Sequence, residues 1–340
     1  MKLNPKIKKI YSLSIKIAII IISFGFIYKQ LFFKKNTTEI FLFFKQFSFS
    51  NESKALLILV FLLMFVNLGL ESLKWKYLLS KIENISFIKA FKAIFCSATF
   101  NIFMPNRTGD FAGRIFFLKK ANYWEGIFIT AIGSFSQLLI TVSTGLLSGL
   151  YFVSHFTALQ KYFSGYSLGI IYISVFAVNI LLFFLFFNIS FLTMLLRKIS
   201  FFKAPKLKIY TRIFSIYSEK NLLNVLLLSL FRYIVFIFQF FVLLKIFNVQ
   251  ISFVDAFPIL SLNFLIVTII PTFALSELGV RGSVAFILFD YYFKAHHIMY
   301  GQLAFAVIAA TTTLWLINLI IPAIAGSPFV FNLNFFRKKV

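Results

Sequence analysis

Cysteine occurs once in 340 residues, at Cys96, and histidine three times, at His155, His296 and His297. An internal disulfide framework and a multi-thiolate metal site are thereby excluded, and a histidine metal centre has too few ligands to be built. Acidic residues are also scarce, 10 against 34 Lys plus Arg, and charged residues of both signs make up only 13% of the chain. A soluble domain carries about a quarter charged residues. This chain is instead 60% hydrophobic with a mean hydropathy of +0.92, which excludes a soluble fold. The net charge of +24 is no nucleic-acid footprint, because too much of the chain must lie in lipid for that charge to line a groove. It reads as a basic cytoplasmic skirt facing anionic lipid. The sequence also lacks a Gly-Lys-Ser/Thr phosphate loop, a hydrolase nucleophile elbow and zinc-ligand spacing, which argues against ATP-driven pumping by this chain alone. No metal or cofactor is expected, and no catalytic residue is assigned.

What the sequence does have is long apolar runs. A helix needs about 20 mainly apolar residues to cross the hydrocarbon core. Six segments qualify, at 11–28, 55–73, 126–152, 166–191, 222–244 and 302–325. The first follows Lys2, Lys6, Lys8 and Lys9 but ends in Tyr28-Lys29-Gln30 with no small-residue cleavage site, so it reads as a retained signal anchor. Two further stretches, 86–118 and 253–293, are each broken by a proline, Pro105 and Pro271.

Lysine and arginine asymmetry sets an expected orientation. The N-terminus, the 74–92 stretch, the 192–221 loop and the 326–340 tail are basic and should be cytoplasmic. The 153–165 and 245–256 loops suit the outside. The basic segment 29–54 should be external on this plan and resists it. These sides agree only if each interrupted stretch returns to the face it entered, as a re-entrant hairpin or a pair of short helices.

An internal repeat organises these parts. Ile85-Ser86-Phe87-Ile88-Lys89-Ala90-Phe91 matches Ile251-Ser252-Phe253-Val254-Asp255-Ala256-Phe257 at five of seven positions, at an offset of 166. The same offset carries Pro105 onto Pro271. At 167, Asp110 falls on Glu277 and Arg114 on Arg281. The expected division is an anchor helix at 11–28, repeat one at 55–152, a helix at 166–191, repeat two at 222–325 and the tail. Three crossings separate the copies if the boxes are hairpins, which makes them an inverted repeat. The fold class expected is an all-α polytopic membrane protein, with six full spans and two hairpins in a single transmembrane domain.

Two boxes carry the chemistry. The first runs from Asn101 through Pro105, Arg107, Gly109 and Asp110 to Arg114, and the second from Pro271 through Glu277 and Gly279 to Arg281. Pro105, Gly109, Pro271 and Gly279 are the expected helix breakers. An acid and an arginine four residues apart share a helix face and can pair. Charges at membrane depth are costly and usually mark a pathway or ligand. One reading is a polar cavity in which Arg107, Arg114 and Arg281 offer guanidinium forks to phosphate, with Asp110 and Glu277 holding them or titrating. The other is that each pair is a structural clip, and the two are compatible. Glu71 and Arg232 are weaker candidates for the same cavity and read rather as interfacial. So do Trp75 and Tyr77, as aromatic anchors, and His296-His297 beside a span end. Gly145 and Gly149 form a close-packing face. Gln137 and Gln239 can hydrogen-bond across helices.

At these boxes the sequence resembles the lysylphosphatidylglycerol synthase transmembrane family, also called flippase-like. Asn101, Pro105, Arg107, Gly109-Asp110 and Arg114 carry the resemblance, with Pro271, Glu277 and Leu278-Gly279. It covers roughly residues 10–330. The second box departs from the family pattern by placing the acid before Leu-Gly. The resemblance implies a flippase-like translocase in the bacterial cytoplasmic membrane, with both termini cytoplasmic. It would move an anionic or aminoacylated phospholipid, or a related lipid, between leaflets. Asn101, Arg107, Asp110, Arg114, Glu277 and Arg281 would contact the substrate. Two-part relatives add a soluble aminoacyl-transfer domain. This chain stops at Val340, soon after its last span, so the translocation half is expected, and a separate synthase or transferase partner, or a second copy of the chain, fits the plan. The competing classes are a secondary transporter for a small anion or amphiphile and a membrane enzyme acting on lipid or polyprenyl phosphates, with Asp110 and Glu277 as acid and base.

Overall fold

A computed structural model of the chain describes residues 50–104, 108–156, 165–188, 212–271, 274–297 and 301–333, with isolated residues 14, 17, 21 and 191. Apart from those isolated positions, the expected anchor span 11–28, the basic segment 29–49 and the tail from 334 lie outside the described residues, as does most of the basic loop at 192–211. Pro105 and Arg107 lie outside them too. The described residues are mostly helical, without strand.

Four helices begin alike. α1 (Asn51–Leu79), α2 (Phe87–Asn101), α6 (Glu219–Ile246) and α7 (Phe253–Ile269) start after Ser50, Ser86, Ser218 and Ser252. Each serine oxygen accepts the N–H three residues on, from Ser53, Lys89, Asn221 and Asp255. Such caps stabilise a helix by about 1 kcal/mol each. Between them lie α3 (Gly109–Ile115), α4 (Tyr123–Phe156) and α5 (Gly165–Phe187). After α7 come α8 (Ala274–Ala295), α9 (Gly301–Trp315), a π turn at Leu316–Ile320 and α10 (Ile321–Gly326). The π turn precedes Pro322, whose missing N–H cannot serve the carbonyl four residues back. α6 closes on Asn248 with φ 60°, and the Val249 N–H returns to the Leu244 carbonyl at 2.9 Å, a left-handed helix cap. His297, at φ 54°, ends α8 in the same conformation.

Five helical stretches are long and apolar enough to cross a membrane: Asn51–Leu79, Tyr123–His155, Gly169–Phe187, Glu219–Ile246 and Phe305–Phe331. They coincide with five of the six expected spans. Their outward faces are apolar. On α5, Ile173 is 71% and Ile180 70% exposed, a surface that suits lipid and not water.

The centre of the molecule is the contact of α1 with α6. Gln239 donates to the Val60 carbonyl at 2.9 Å, Arg232 to Asn67 at 2.9 Å, and Tyr77 to Asn221 at 2.8 Å. Rising numbers on one helix meet falling numbers on the other, so the two run antiparallel. α4 lies beside α6 in the same direction, through Ser136 against Ser229 at 2.8 Å and Gln137 against Arg232 at 3.3 Å. α7 then packs against α4, where a side chain on Gly145 would collide with Leu265. Reciprocally, α2 packs against α10, where a side chain on Gly326 would collide with the Phe95 backbone. Thr99 also donates to the Ala323 carbonyl at 2.8 Å.

Both interrupted stretches fold back on themselves. Asn101 abuts Gly109 and Ser97 abuts Gly113, so α3 runs back along α2, and neither glycine has room for a Cβ. At 1.5 Å per residue α2 is about 22 Å long, short of a full crossing. Glu83, just before the hairpin, accepts backbone N–H groups of Lys119, Lys120 and Ala121, just after it, at 2.7 to 3.0 Å. Entry and exit are thus tied together. In the second hairpin Ile270 is extended before Pro271, as a residue preceding proline should be, and Tyr292 of α8 returns to Asp255 of α7. Gly279 is a correction. It does not break the chain, because α8 runs unbroken from Ala274 to Ala295 and no neighbour crowds that position; one glycine costs a helix only about 1 kcal/mol.

Burial works against the Glu83 carboxylate, but the three N–H donors and Lys89 outweigh it and hold the group below the usual carboxylate range. Its contribution to stability is therefore full above about pH 4.3, the ordinary glutamate value, and is lost as pH falls through the depressed folded value. Glu83→Gln is expected to cost about 1–3 kcal/mol at neutral pH and to flatten the acid limb of a melting-temperature profile in detergent.

Candidate functional site

α1 runs six residues beyond the expected end of its span. Lys74, expected in a basic loop, is therefore helical and only 1% exposed. Trp75 is also 1% exposed and so is buried in the protein, which overturns its reading as an interfacial anchor. Tyr77 bonds Asn221 and accepts from Asn224 at 3.0 Å.

Glu71 gathers the buried charge. One carboxylate oxygen meets Arg114 at 2.8 Å, and the other meets Lys74 at 2.8 Å and Arg232 at 3.0 Å. The three cations come from α3, α1 and α6, so one carboxylate joins the first hairpin to the central helix pair. The interfacial reading of Glu71 and Arg232 is corrected: Glu71 is 5% exposed and enclosed by its partners. Each cation has further support. Lys74 donates to Ser229 at 3.2 Å, and Arg232 to Asn67 and to Gln137, the latter at 3.3 Å. Arg114 also reaches Asp110 at 3.2 Å, and Asn101 donates to that carboxylate at 3.0 Å. Three cations against two carboxylates leave this cluster one positive charge in excess among the described residues.

The second box forms its pair as well, with Arg281 donating to Glu277 at 2.6 and 2.8 Å. The two boxes meet at a cavity of about 440 Å³ lined by Asn101, Gln137, Thr141, Arg232, Glu277 and Arg281. Its remaining wall is mostly apolar and includes Leu138, Phe264 and Ile270. Leu138 and Ile270 are themselves exposed, so the cavity opens outward. Asn101 brings a buried amide oxygen with no hydrogen-bond partner among the described residues.

The structure separates the expected site residues. Asn101, Glu277 and Arg281 line the cavity. Arg114, 2% exposed, lies outside the lining and is held by Glu71 and Asp110. Arg107 lies outside the described residues. Arg232 and Gln137 take places that sequence reasoning did not give them. The available signal was a lone charge inside an apolar span, which is expensive unless used. No cluster of three metal-ligating side chains occurs among the described residues. Gln239 does bond across helices, donating to α1 and accepting from Asn318 at 3.0 Å.

Residues 13–328 match the family model described as Lysylphosphatidylglycerol synthase TM region. No functionally curated protein matches the chain.

Replacing Glu71 leaves three buried cations without their common partner. Removing one side of a buried ion pair costs about 3–5 kcal/mol. Glu71→Gln is expected to lose stability on that scale, seen as a lowered melting temperature or loss of folded protein from the membrane fraction, with Glu71→Asp less affected.

Proposed function

The chain belongs to the lysylphosphatidylglycerol synthase transmembrane family, since the match covers nearly all of it, and from that premise we propose that this multi-pass membrane protein moves lipids with phosphate-bearing headgroups between leaflets. The observation that carries the reading is the placing of Arg232 and Arg281 on one open cavity, beside a buried cluster with excess positive charge. An anionic headgroup cannot enter hydrocarbon bare. Guanidinium forks at membrane depth offset that cost with charge-assisted hydrogen bonds, while the acyl tails stay in lipid outside the apolar rim.

We read the fold as an inverted repeat built on α1 and α6. Their antiparallel contact supports this, since they are the corresponding first spans of the two units. The reciprocal seating of α2 on α10 and of α7 on α4 supports it too, because exchanging the units exchanges these contacts. The two hairpins are then re-entrant, one from each face. Both termini and the 192–221 loop are placed in the cytoplasm on their lysine and arginine content.

Reconstitution into liposomes with headgroup-labelled phospholipids tests the function. The wild-type chain should exchange anionic phospholipid between leaflets faster than empty vesicles do. One charge-assisted hydrogen bond is worth about 1.5–3 kcal/mol, so Arg281→Ala should slow exchange by about tenfold or more. Arg232→Lys, which keeps the charge opposite Glu71 but loses the fork, should slow it with little loss of melting temperature. No exchange of any lipid class by the wild-type chain, or full exchange by both variants, removes the reading.

A further inference from the structure

A second, smaller cavity of about 310 Å³ lies between α4 and the beginning of α7. Thr144, Leu147, Ser148 and Tyr151 of α4 line it, facing Val254, Phe257 and Pro258 of α7. Along α4, Gln137 and Thr141 line the first cavity, and Thr144, Ser148 and Tyr151 the second. Their spacings of four, three, four and three residues place all five on one helical face. A stripe of hydrogen-bonding side chains thus runs along an otherwise apolar span and touches both cavities.

The join between the cavities is polar as well. Tyr233, which lines the first cavity, turns its hydroxyl toward Ser261 of α7 and Thr144 of the second cavity. Tyr233 is 3% exposed and Ser261 0%, yet the oxygen of each lacks a well-formed hydrogen bond among the described residues. Buried polar atoms in that state mark a place where water or a ligand supplies the partner. At the far end, Pro258 has no N–H, so the Val254 carbonyl at the second cavity lacks its usual helical donor. Beyond it, Tyr151 stacks on His155 at 4.0 Å, at the end of α4.

We propose that this face of α4 is a headgroup path, leading from the arginine-lined cavity past Tyr233 and Thr144 into the second cavity and so to the membrane face where α4 ends. The proposal rests on the translocase reading and names the route for it. The second cavity has a mostly apolar wall, with Thr144, Ser148 and Tyr151 as its hydroxyl-bearing side chains and no charged one, so it holds a hydrated headgroup weakly and lets it leave. The arginines at the first cavity hold it firmly. Hydroxyls turn to donate or accept as needed, which suits a group in transit.

Single cysteines test the route in the native chain, because Cys96 is fully buried and should give no background. Thr144→Cys and Ser148→Cys in proteoliposomes should react with a water-soluble cationic thiosulfonate several-fold faster than Leu146→Cys and Leu150→Cys on the same helix. Equal rates at all four positions would overturn the path, whatever the transport assay shows. Transport then separates this inference from the reading beneath it. Thr144→Leu and Ser148→Leu should each slow lipid exchange several-fold while leaving retention of anionic lipid through purification intact. If Arg281→Ala slows exchange and both leucine variants do not, the path is wrong and the translocase stands. If entrapped glycerol phosphate leaks through the wild-type chain and labelled phospholipid does not move, the route serves a free solute, and the lipid path is overturned.

Discussion

One carboxylate facing three cations is the constraint on which this structure depends. Glu71 binds Arg114, Lys74 and Arg232 at 2.8 to 3.0 Å inside the protein. An isolated ion would not survive at that depth. A paired one does so only where geometry is tight and the remaining hydrogen-bonding capacity is met. Ser229, Asn67, Gln137 and Asp110 meet much of it. The cluster therefore fixes how the first hairpin, α1 and α6 sit against one another, and α6 in turn presents Arg232 to the cavity. The stability and the chemistry of the site are the same set of contacts.

The arrangement divides the arginines by task. Arg114 is spent on Glu71 and Asp110 and holds the hairpin to α1. Arg232 shares Glu71 but also reaches the cavity wall, and Arg281 faces the same cavity from α8 with Glu277 beside it. Under the proposed function, an anion entering there would compete for guanidinium donors with carboxylates already in place. On that reading, such a site would take up an anion by exchange of partners and give it up in the same way. A deep trap of unopposed positive charge would do neither.

Much of the architecture was legible in the amino-acid order. Apolar run length marked five of the spans, and a proline with extended backbone before it marked the second hairpin break at Pro271. The four-residue spacing of Asp110 with Arg114 and of Glu277 with Arg281 placed each pair on one helix face, where each now bonds. The errors share a cause. Lys74 and Trp75 read as the edge of the membrane because a lysine commonly ends a span, and nothing local reveals a buried partner on α6, 155 residues away. Gly279 read as a breaker because glycine breaks many helices, while here the surrounding residues sustain one. Arg107, Pro105 and the anchor helix fall outside the described residues.

The hub residues were hard to see for a further reason, which is that they are not duplicated. At the offsets of 166 and 167 that align the two copies, Glu71 falls on Ile237 or Phe238 and Arg232 on Val66 or Phe65, all apolar. Searching for a repeat finds the frame and passes over what departs from it. The departure has a physical consequence under the inverted-repeat reading. The α1–α6 pair has two faces related by the pseudo-axis, and a symmetric chain would place charge on both. This chain keeps Glu71 and Arg232 on one and apolar side chains at the corresponding positions of the other, so among the described residues the charge that would meet a polar headgroup lies on one face. On the inverted-repeat reading a symmetric scaffold would thereby carry its charge on one side, and that side lies against α4, whose Gln137 and Thr141 line the same cavity.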